Sequence, residues 1–556
     1  MALNAPNIIF LTIDGLRYDR LGCNGYEAAH SPAIDGLCRN GVSFSRYFCH
    51  GSPTQFSFPP IFASTYPLDE GGYGKGIKYR AASFVEVLQA AGYWTVGLSS
   101  GGALTAASGY DRGFVHFHHL NDVSVPLESV WKNEIAYYRR LFNAGQIALD
   151  DLIEKIVPSV KEALQITLKI CNERLEEVAS QAIASNADFH GADHPRISAR
   201  IIEELGKLNA APHPYSQAWI DAEDVHEVCP WLPRPLISRK PLAANIYNYA
   251  NKALSLLDVT LRYGRRKSMG VKTVFDSIDR YVARADGRKF FIWAHVLDVH
   301  DLDYSDSKIE FPPLFSPVFR NVRRMGSRYR GLRRYDYAVT NVDGYIGRLL
   351  EHLKERGLDK NTLLVVTADH GLAANWPRPS ISHVANFYDE HCHVPLVFYH
   401  KDLSARVVEV MVGSVDLSVM LLGLLGLRPP PSFRGMDALA EGTRGRPYIL
   451  MENLGRGPCD LERKSIRLSI RTLDRKYTMD EVGGECQVRE VFDLAKDPDE
   501  LVNLVDSKAE LPGIENARLV GMQRCLEVRS QIFPSTFSPD PMIGELSLSD
   551  ASKEEL

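Results

Sequence analysis

Four apolar runs frame this chain. Ile8-Ile9-Phe10-Leu11-Thr12-Ile13 closes on Asp14-Gly15, and Phe290-Phe291-Ile292-Trp293-Ala294-His295-Val296-Leu297 leads into Asp298-Val299-His300. Thr362-Leu363-Leu364-Val365-Val366-Thr367 leads into Ala368-Asp369-His370-Gly371, and Val394-Pro395-Leu396-Val397-Phe398-Tyr399 follows Asp389-Glu390-His391-Cys392-His393. Short runs that are apolar on both faces predict buried strands of a mostly parallel sheet. Ala338, Val342, Ile346, Leu349, Leu350 and Leu353 fall at helical spacing, which predicts a helix over 337–356 stopped by Gly357. Strands alternating with helices imply an α/β fold with a doubly wound, mostly parallel sheet flanked by helices. Such sheets bind ligands beyond the carboxyl ends of their strands, where Asp14, Asp298, His300, Asp369 and His370 fall.

Between residues 121 and 285 the pattern turns helical. Ile147, Leu152, Ile153, Ile156, Val160, Leu164, Leu168, Leu175 and Val178 keep helical period, with Pro158 expected to kink or restart the helix. Further helices are predicted over 197–208 and 241–263. This region reads as a helical insertion or cap, with an oligomerisation arm, and hence a homo-oligomer, as the alternative. The basic run Arg262-Tyr263-Gly264-Arg265-Arg266-Lys267 reads as a solvated helix end in preference to an anion site. Pro429-Pro430-Pro431 follows an apolar helix over 416–427 and marks a boundary. Beyond about 440, short strand-like pieces such as Ile466-Arg467-Leu468-Ser469-Ile470 predict a smaller C-terminal α+β subdomain, ending in a polar tail over 547–556. The organisation is then 1–120 and 286–430 for the two parts of the core, 121–285 for the insertion, and 431–556 for the subdomain and tail.

Composition narrows the class. The 556 residues are 45% hydrophobic and 24% charged, an ordinary globular balance that excludes a disordered or collagenous chain. A net charge of -5 gives no basic field, so no nucleic-acid partner is expected. Nine cysteines are too few for a disulfide scaffold, and their odd number fits a reducing compartment. Residues 1–7 carry no basic stretch ahead of a long apolar one, and no apolar run approaches the ~20 residues that cross a bilayer. The expectation is a soluble, cytoplasmic protein without a membrane anchor.

The chemistry concentrates on Asp14, Thr54, Asp369 and His370. Two carboxylates and an imidazole at strand ends can hold one divalent cation, Mn²⁺ or Zn²⁺ in preference to Ca²⁺. The alternative is a hydrogen-bonded strand-end histidine beside a loop aspartate.

Several segments together resemble the sulfatases and the wider alkaline phosphatase superfamily. Asn7 to Gly22 is similar to the sulfatase opening, whose first strand delivers a metal-binding Asp. Val339-Thr340-Asn341-Val342-Asp343 through Asp369-His370-Gly371 is similar to the long helix and strand before that family's second metal-binding pair. Phe387-Tyr388-Asp389-Glu390 through His393-Val394-Pro395-Leu396 resembles the stretch after it. Ile470-Arg471-Thr472, Lys476-Tyr477, Phe492-Asp493-Leu494, Asp497-Pro498-Asp499-Glu500 and Asn503-Leu504 look like its last subdomain. The resemblance implies a metal-dependent hydrolase of ester bonds with a small anionic ester as its partner.

The nucleophile departs from true sulfatases, which carry a Cys/Ser-x-Pro-x-Arg motif converted to formylglycine. The stretch Cys49-His50-Gly51-Ser52-Pro53-Thr54-Gln55-Phe56-Ser57 lacks it, and Ser99-Ser100-Gly101-Gly102 stands where sulfatases keep a Lys. It is similar instead to the Thr-x-x-Ser-x-Pro pattern of phosphoethanolamine transferases, which puts the nucleophile on Thr54. The spacing to Tyr66-Pro67, compared with nucleotide phosphodiesterases, gives the same residue. Ser52 and Ser57 are the fallbacks, and a plain helix cap near Phe56 is the bland reading of Thr54. The resemblance also implies substrate contacts for His300 (ahead of Tyr304), His383 and His393, with His300 as a catalytic candidate and a second ion as an option. His391 is left out as too close to His393 in a segment expected to be extended. Glu452-Asn453-Leu454-Gly455-Arg456-Gly457 reads as a turn, with a pocket rim as its alternative. The expected activity is cleavage of phosphoric esters, a diester or substituted monoester, through Thr54 and a covalent intermediate. The alternatives are sulfate ester hydrolysis without formylglycine, transfer of a phospho-substituent, and a non-catalytic binding protein.

Overall fold

The computed structural model describes residues 3–120, 123–180, 194–232, 260–261, 270–300, 309–310, 330–374, 377–378, 381–382, 386–455, 458–506 and 511–532. In chain order the elements used below are β1 (Asn7–Ile13), α1 (Pro32–Asn40), β2 (Val42–Phe44), α2 (Thr54–Ala63), α3 (Phe84–Ala90), β3 (Trp94–Ser99), β4 (His116–His119), α4 (Leu149–Ser180), α5 (His194–Ala210) and α6 (Pro212–Asp221). There follow α7 (Val271–Arg284), β5 (Phe290–Val296), α8 (Arg330–Glu355), β6 (Thr362–Thr367), α9 (Asp389–Cys392), β7 (Leu396–Tyr399), β8 (Arg406–Val408) and α10 (Ser414–Leu424). The last are β9 (Ile449–Asn453), β10 (Arg467–Arg471), β11 (Arg475–Val482), β12 (Glu485–Asp493) and α11 (Ile514–Ile532). By packing the chain divides into two compact units, Met1–Gly92 with Asp359–Leu556, and Tyr93–Leu358.

In the first unit the strands run in the order β8-β2-β7-β6-β1. β1 and β6 are parallel, in a register that pairs Asn7 with Thr362 and Thr12 with Thr367. β7 runs antiparallel to both β6 and β2, and β8 is parallel to β2. Every residue of β1 and β6 is buried, which is why both read as unbroken apolar runs. α1, with Pro32 at its first position, and α3, with a Ser83–Glu86 capping box, pack in this unit. The C-terminal subdomain is an antiparallel sheet, β9-β10-β11-β12, with a bulge at Thr478/Met479. Its face and α11 enclose Leu468, Ile470, Met479, Val491, Ala517 and Val528.

The second unit carries three parallel strands, with β3 between β4 and β5. Its helices α4, α5 and α6 build a core of their own around Leu152, Ile156, Leu164, Ile201 and Trp219. α4 runs through Pro158 as one element of 32 residues, so the helix does not restart there. One lost backbone donor is outweighed by the apolar stripe buried on either side of it. α5 contains the span 197–208, and α8 contains 337–355 and ends before Gly357, which takes a positive φ of 67°. The helix expected over 241–263, the basic run 262–267 and the tail 547–556 lie outside the described residues, save the two-residue strand Thr260–Leu261.

Candidate active site

The first unit brings Asp14, Thr54, Asp369 and His370 together. The parallel register of β1 and β6 carries Asp14 and Asp369 out at the same level, two residues past Thr12 and Thr367. Each offers a carboxylate oxygen within 4.8 Å of the other. The chains stay paired beyond them, through a parallel bridge between Gly15 and Gly371. Gly371 has no room for a side chain, since a Cβ there would lie 2.2 Å from the Glu390 carbonyl oxygen. Asp14 is 2% exposed, and Asp369 and His370 are fully enclosed.

Thr54 is the first residue of α2, and Pro53 holds the cap position without a side-chain bond. Its hydroxyl therefore does not cap the helix. Thr54 Oγ1 donates to Asp14 Oδ2 at 3.2 Å and lies 3.2 Å from His370 Nε2. The fallback hydroxyls are placed otherwise. Ser57 Oγ donates to the Gly51 carbonyl at 2.7 Å, and Ser52 is enclosed, ahead of a cis bond to Pro53.

The donor set can be tested for a cation. His370 Nδ1 lies 2.8 Å from the Gly371 carbonyl, which only accepts, so Nδ1 carries the proton. In the neutral ring Nε2 is then a lone pair, facing Asp14 Oδ1 at 3.4 Å and Asp369 Oδ2 at 3.5 Å. A lone pair against two buried carboxylates is repulsive. A divalent cation would attract all three groups, since carboxylate oxygens and an imidazole nitrogen are its usual ligands. The residues present fit one divalent ion.

Arg17 is a residue that the motif reading passed over. It is 2% exposed, grips Asp19 through Nε and Nη2 at 2.8 and 2.7 Å, and donates from Nη1 to the Leu372 carbonyl at 3.4 Å. It thereby braces the loop that carries Asp369 and His370. An acidic partner two residues on, in Arg17-Tyr18-Asp19, is the only signal the sequence holds for it.

The histidines divide. His393 is stacked between Tyr18 at 4.0 Å and Phe48 at 4.5 Å, with Nε2 3.0 Å from the Ser45 carbonyl. Burial brings its pKa down to about 4 although Asp389 opposes this. Among the described residues no hydrogen bond or ion pair joins it to the Thr54 cluster, so its visible work is packing. His300 ends a turn after β5, in the second unit, where its N–H donates to the Leu297 carbonyl at 3.0 Å. His383 and Tyr304 lie outside the described residues. The segment Asp389–Cys392 is a short helix, α9, where an extended stretch was expected, so alternation does not govern His391. His391 is enclosed, and its carbonyl accepts the Gly371 N–H at 2.8 Å.

The motifs of the last subdomain prove to be a charge hub. Lys476 is fully enclosed, with Nζ 2.6 Å from Asp389 Oδ1, 2.6 Å from Glu500 Oε1 and 2.8 Å from the Phe387 carbonyl. Arg471 adds a second cation to Asp389 at 3.0 Å. Burial pushes the Glu500 carboxyl up to about 7, against the pull of Lys476. Cys49 is buried, its thiol 3.6 Å from the His391 carbonyl. Glu452 and Asn453 belong to β9, not to a turn, and Arg456 and Gly457 are not described.

A parallel α/β core whose strand ends gather two carboxylates, an imidazole and a hydroxyl is a site able to hold one divalent cation beside a hydroxyl. The family model described as Sulfatase matches residues 6–163 and 199–427, most of the chain, and the chain belongs to the sulfatase family. Arylsulfatase K of Bos taurus is 25% identical over 234 residues, 39% of this chain and 40% of that protein. An endo-4-O-sulfatase of Bacteroides thetaiotaomicron is 31% identical over 153 residues, 26% of this chain and 30% of that protein. The chain thus spans less than half the length of either relative. In fold it resembles the phosphonate monoester hydrolase of Agrobacterium radiobacter, with a TM-score of 0.51 at 16% identity, covering 95% of this chain and 96% of that one. Enzymes of the sulfatase family use a divalent metal, and Asp14, Asp369 and His370 are the residues that would hold it here.

Proposed function

We propose that this sulfatase-family hydrolase cleaves phosphoric esters, a diester or substituted monoester, with Thr54 as its nucleophile. The observation that carries the reading is the Thr54 hydroxyl, 3.2 Å from both Asp14 Oδ2 and His370 Nε2, in a chain with no Cys/Ser-x-Pro-x-Arg motif. A divalent ion, Mn²⁺ or Zn²⁺ by its ligand chemistry, would be held by Asp14, Asp369 and His370 and would supply positive charge that lowers the pKa of the hydroxyl and favours the anionic substrate.

Asp14 orients the hydroxyl and is the group its proton already points to. Thr54 Oγ1 forms a bond to phosphorus in line as the bond from phosphorus to the leaving oxygen breaks, giving a phospho-threonine. The Thr54 proton passes to Asp14 and on to the departing oxygen; water then attacks that phosphorus, the bond to Oγ1 breaks, and a proton from that water returns to Thr54 through Asp14. The start of α2 favours the negative charge that develops beside it. Arg17 and Gly371 keep the Asp369-His370 loop in place through both steps. His300 and His383 remain proposed contacts for the equatorial oxygens. A reducing, cytoplasmic setting stays proposed on the odd number of thiols, and self-association through the helical insertion on its separate apolar core.

Sulfate ester hydrolysis through the same hydroxyl is the second reading, favoured by relatives that are named as sulfatases. Turnover by metal-loaded protein on matched aryl phosphate diesters, phosphate monoesters, phosphonates and sulfates separates the two. Preference for a phosphoric ester supports the proposal. Preference for the sulfate overturns it in favour of the second reading.

A further inference from the structure

The nucleophile sits at the first residue of a helix, so its position is set by whatever fixes the two ends of that helix. On the incoming side the Glu452 N–H donates to the His50 carbonyl at 2.9 Å. Gly51 is pressed so closely on β9 that a Cβ there would lie 2.9 Å from the Glu452 carbonyl oxygen. On the outgoing side the Leu68 N–H donates to Glu452 Oε1 at 2.6 Å, and the Tyr66 N–H donates to Asp69 Oδ2 at 2.8 Å. One residue, Glu452, thus touches the chain both before and after α2, through its backbone on one side and its carboxylate on the other.

The carboxylate is itself held. Arg524 of α11 donates from Nε to Glu452 Oε2 at 2.8 Å, and from Nη2 to Glu452 Oε1 at 3.0 Å and Asp69 Oδ1 at 2.7 Å. Arg434 adds a contact to Asp69 Oδ2 at 3.0 Å. Glu452, Asp69 and Arg524 are 0%, 1% and 4% exposed. A planar guanidinium forked onto two buried carboxylates is rigid in a way that a single exposed pair is not. Arg524 also lies beyond residue 427, where the match to the family model ends.

We infer that the Glu452–Arg524 pair is a positioning device for the reaction, a clamp that sets where Thr54 meets the reacting centre. This rests on Thr54 being the nucleophile. Among the described residues no hydrogen bond or ion pair joins the pair to Asp14, Thr54, Asp369 or His370, so it acts through the placement of α2. A displacement of the order of 1 Å at a nucleophile costs about 100-fold in rate. The clamp therefore governs kcat and leaves KM nearly alone.

The test uses the full-length, metal-loaded enzyme, with kcat expressed per active site counted from the burst of released leaving group. Glu452→Gln keeps an oxygen for the Leu68 N–H and loses the ionic fork. It is expected to lower kcat per site about 10-fold or more, with KM within about twofold. Arg524→Lys is expected to recover part of the loss seen in Arg524→Met. The double variant Glu452→Gln/Arg524→Met removes the unpaired charge and regains thermal stability while kcat stays low, an outcome that separates positioning from folding. Asp69→Asn cuts a single leg and serves if the others do not fold. Unchanged kcat per site in Glu452→Gln, or in Asp69→Asn where that is the variant used, overturns the clamp. Thr54→Ala, run alongside, reports on the nucleophile separately: full turnover sinks the nucleophile reading, and absent turnover beside an unchanged Glu452→Gln sinks the clamp alone.

Discussion

Two buried charge clusters in the same unit are solved in opposite ways. Around Lys476 the chain supplies both signs, and the contacts close to 2.6 Å on Asp389 and Glu500. Around His370 it supplies two carboxylates and a lone pair, and the separations stay at 3.4 and 3.5 Å. Charge-assisted hydrogen bonds between nitrogen and oxygen run to about 2.7–2.9 Å, so the first cluster is made of closed ion pairs and the second is not. The difference teaches where to look for chemistry in a fold rich in buried ions. The tightly paired cluster holds the subdomain, and the looser one is where we propose that an ion and an anionic substrate meet.

The largest expected effect falls on the balanced cluster. Lys476→Met leaves Asp389 and Glu500 enclosed without their shared cation and is expected to cost about 3–5 kcal/mol, measured by urea unfolding with and without metal. The loss is expected to be the same in both conditions, and a metal-dependent loss would merge the two clusters. Next in size is the ion itself. Saturating Mn²⁺ or Zn²⁺ at about 100 times its Kd should raise the stability of the native protein by roughly 2.7 kcal/mol, and Asp369→Asn should abolish most of that gain. Equal stabilisation of both proteins would remove Asp369 from the ligand set.

An effect of similar size, outside both clusters, is read by pH. His50, enclosed with Nδ1 2.6 Å from the Leu450 carbonyl, is lowered to about 4 by burial, as is His393. For each, the unfolded chain binds the proton first, near 6.5, and the folded one only near 4. Stability is therefore full above about 6.5 and falls as pH drops towards 4, by up to about 3 kcal/mol for His50. His50→Gln should flatten that part of the stability profile. An unchanged acid slope would mean that His50 is not a buried neutral group.

Much of the core was legible because burial on both faces writes an unbroken apolar run, as in Ile8–Ile13 and Thr362–Thr367. The register of those two strands then brings Asp14 beside Asp369 with no further information. Thr54 was legible through its motif neighbourhood, although a capping hydroxyl and a nucleophile look alike in sequence. Of the two readings of Pro158, a restart did not hold, since a long amphipathic stripe outweighs one missing donor. His391 misled as well, because a four-residue helix carries too few positions to show its period. The Arg524–Glu452–Asp69 fork was invisible, because it joins residues separated by 455 and 72 positions and each partner alone looks like an ordinary surface charge.

The central claim is that Thr54 becomes covalently modified during turnover. Metal-loaded protein is pulsed with an aryl phosphate diester, quenched in acid, digested and analysed by mass. The account predicts a phosphoryl-type adduct on the peptide that contains Thr54, absent in Thr54→Ala, which should also lose at least about a thousandfold in kcat. Turnover with no adduct on that peptide, or an adduct at Ser52 or Ser57 instead, would contradict it.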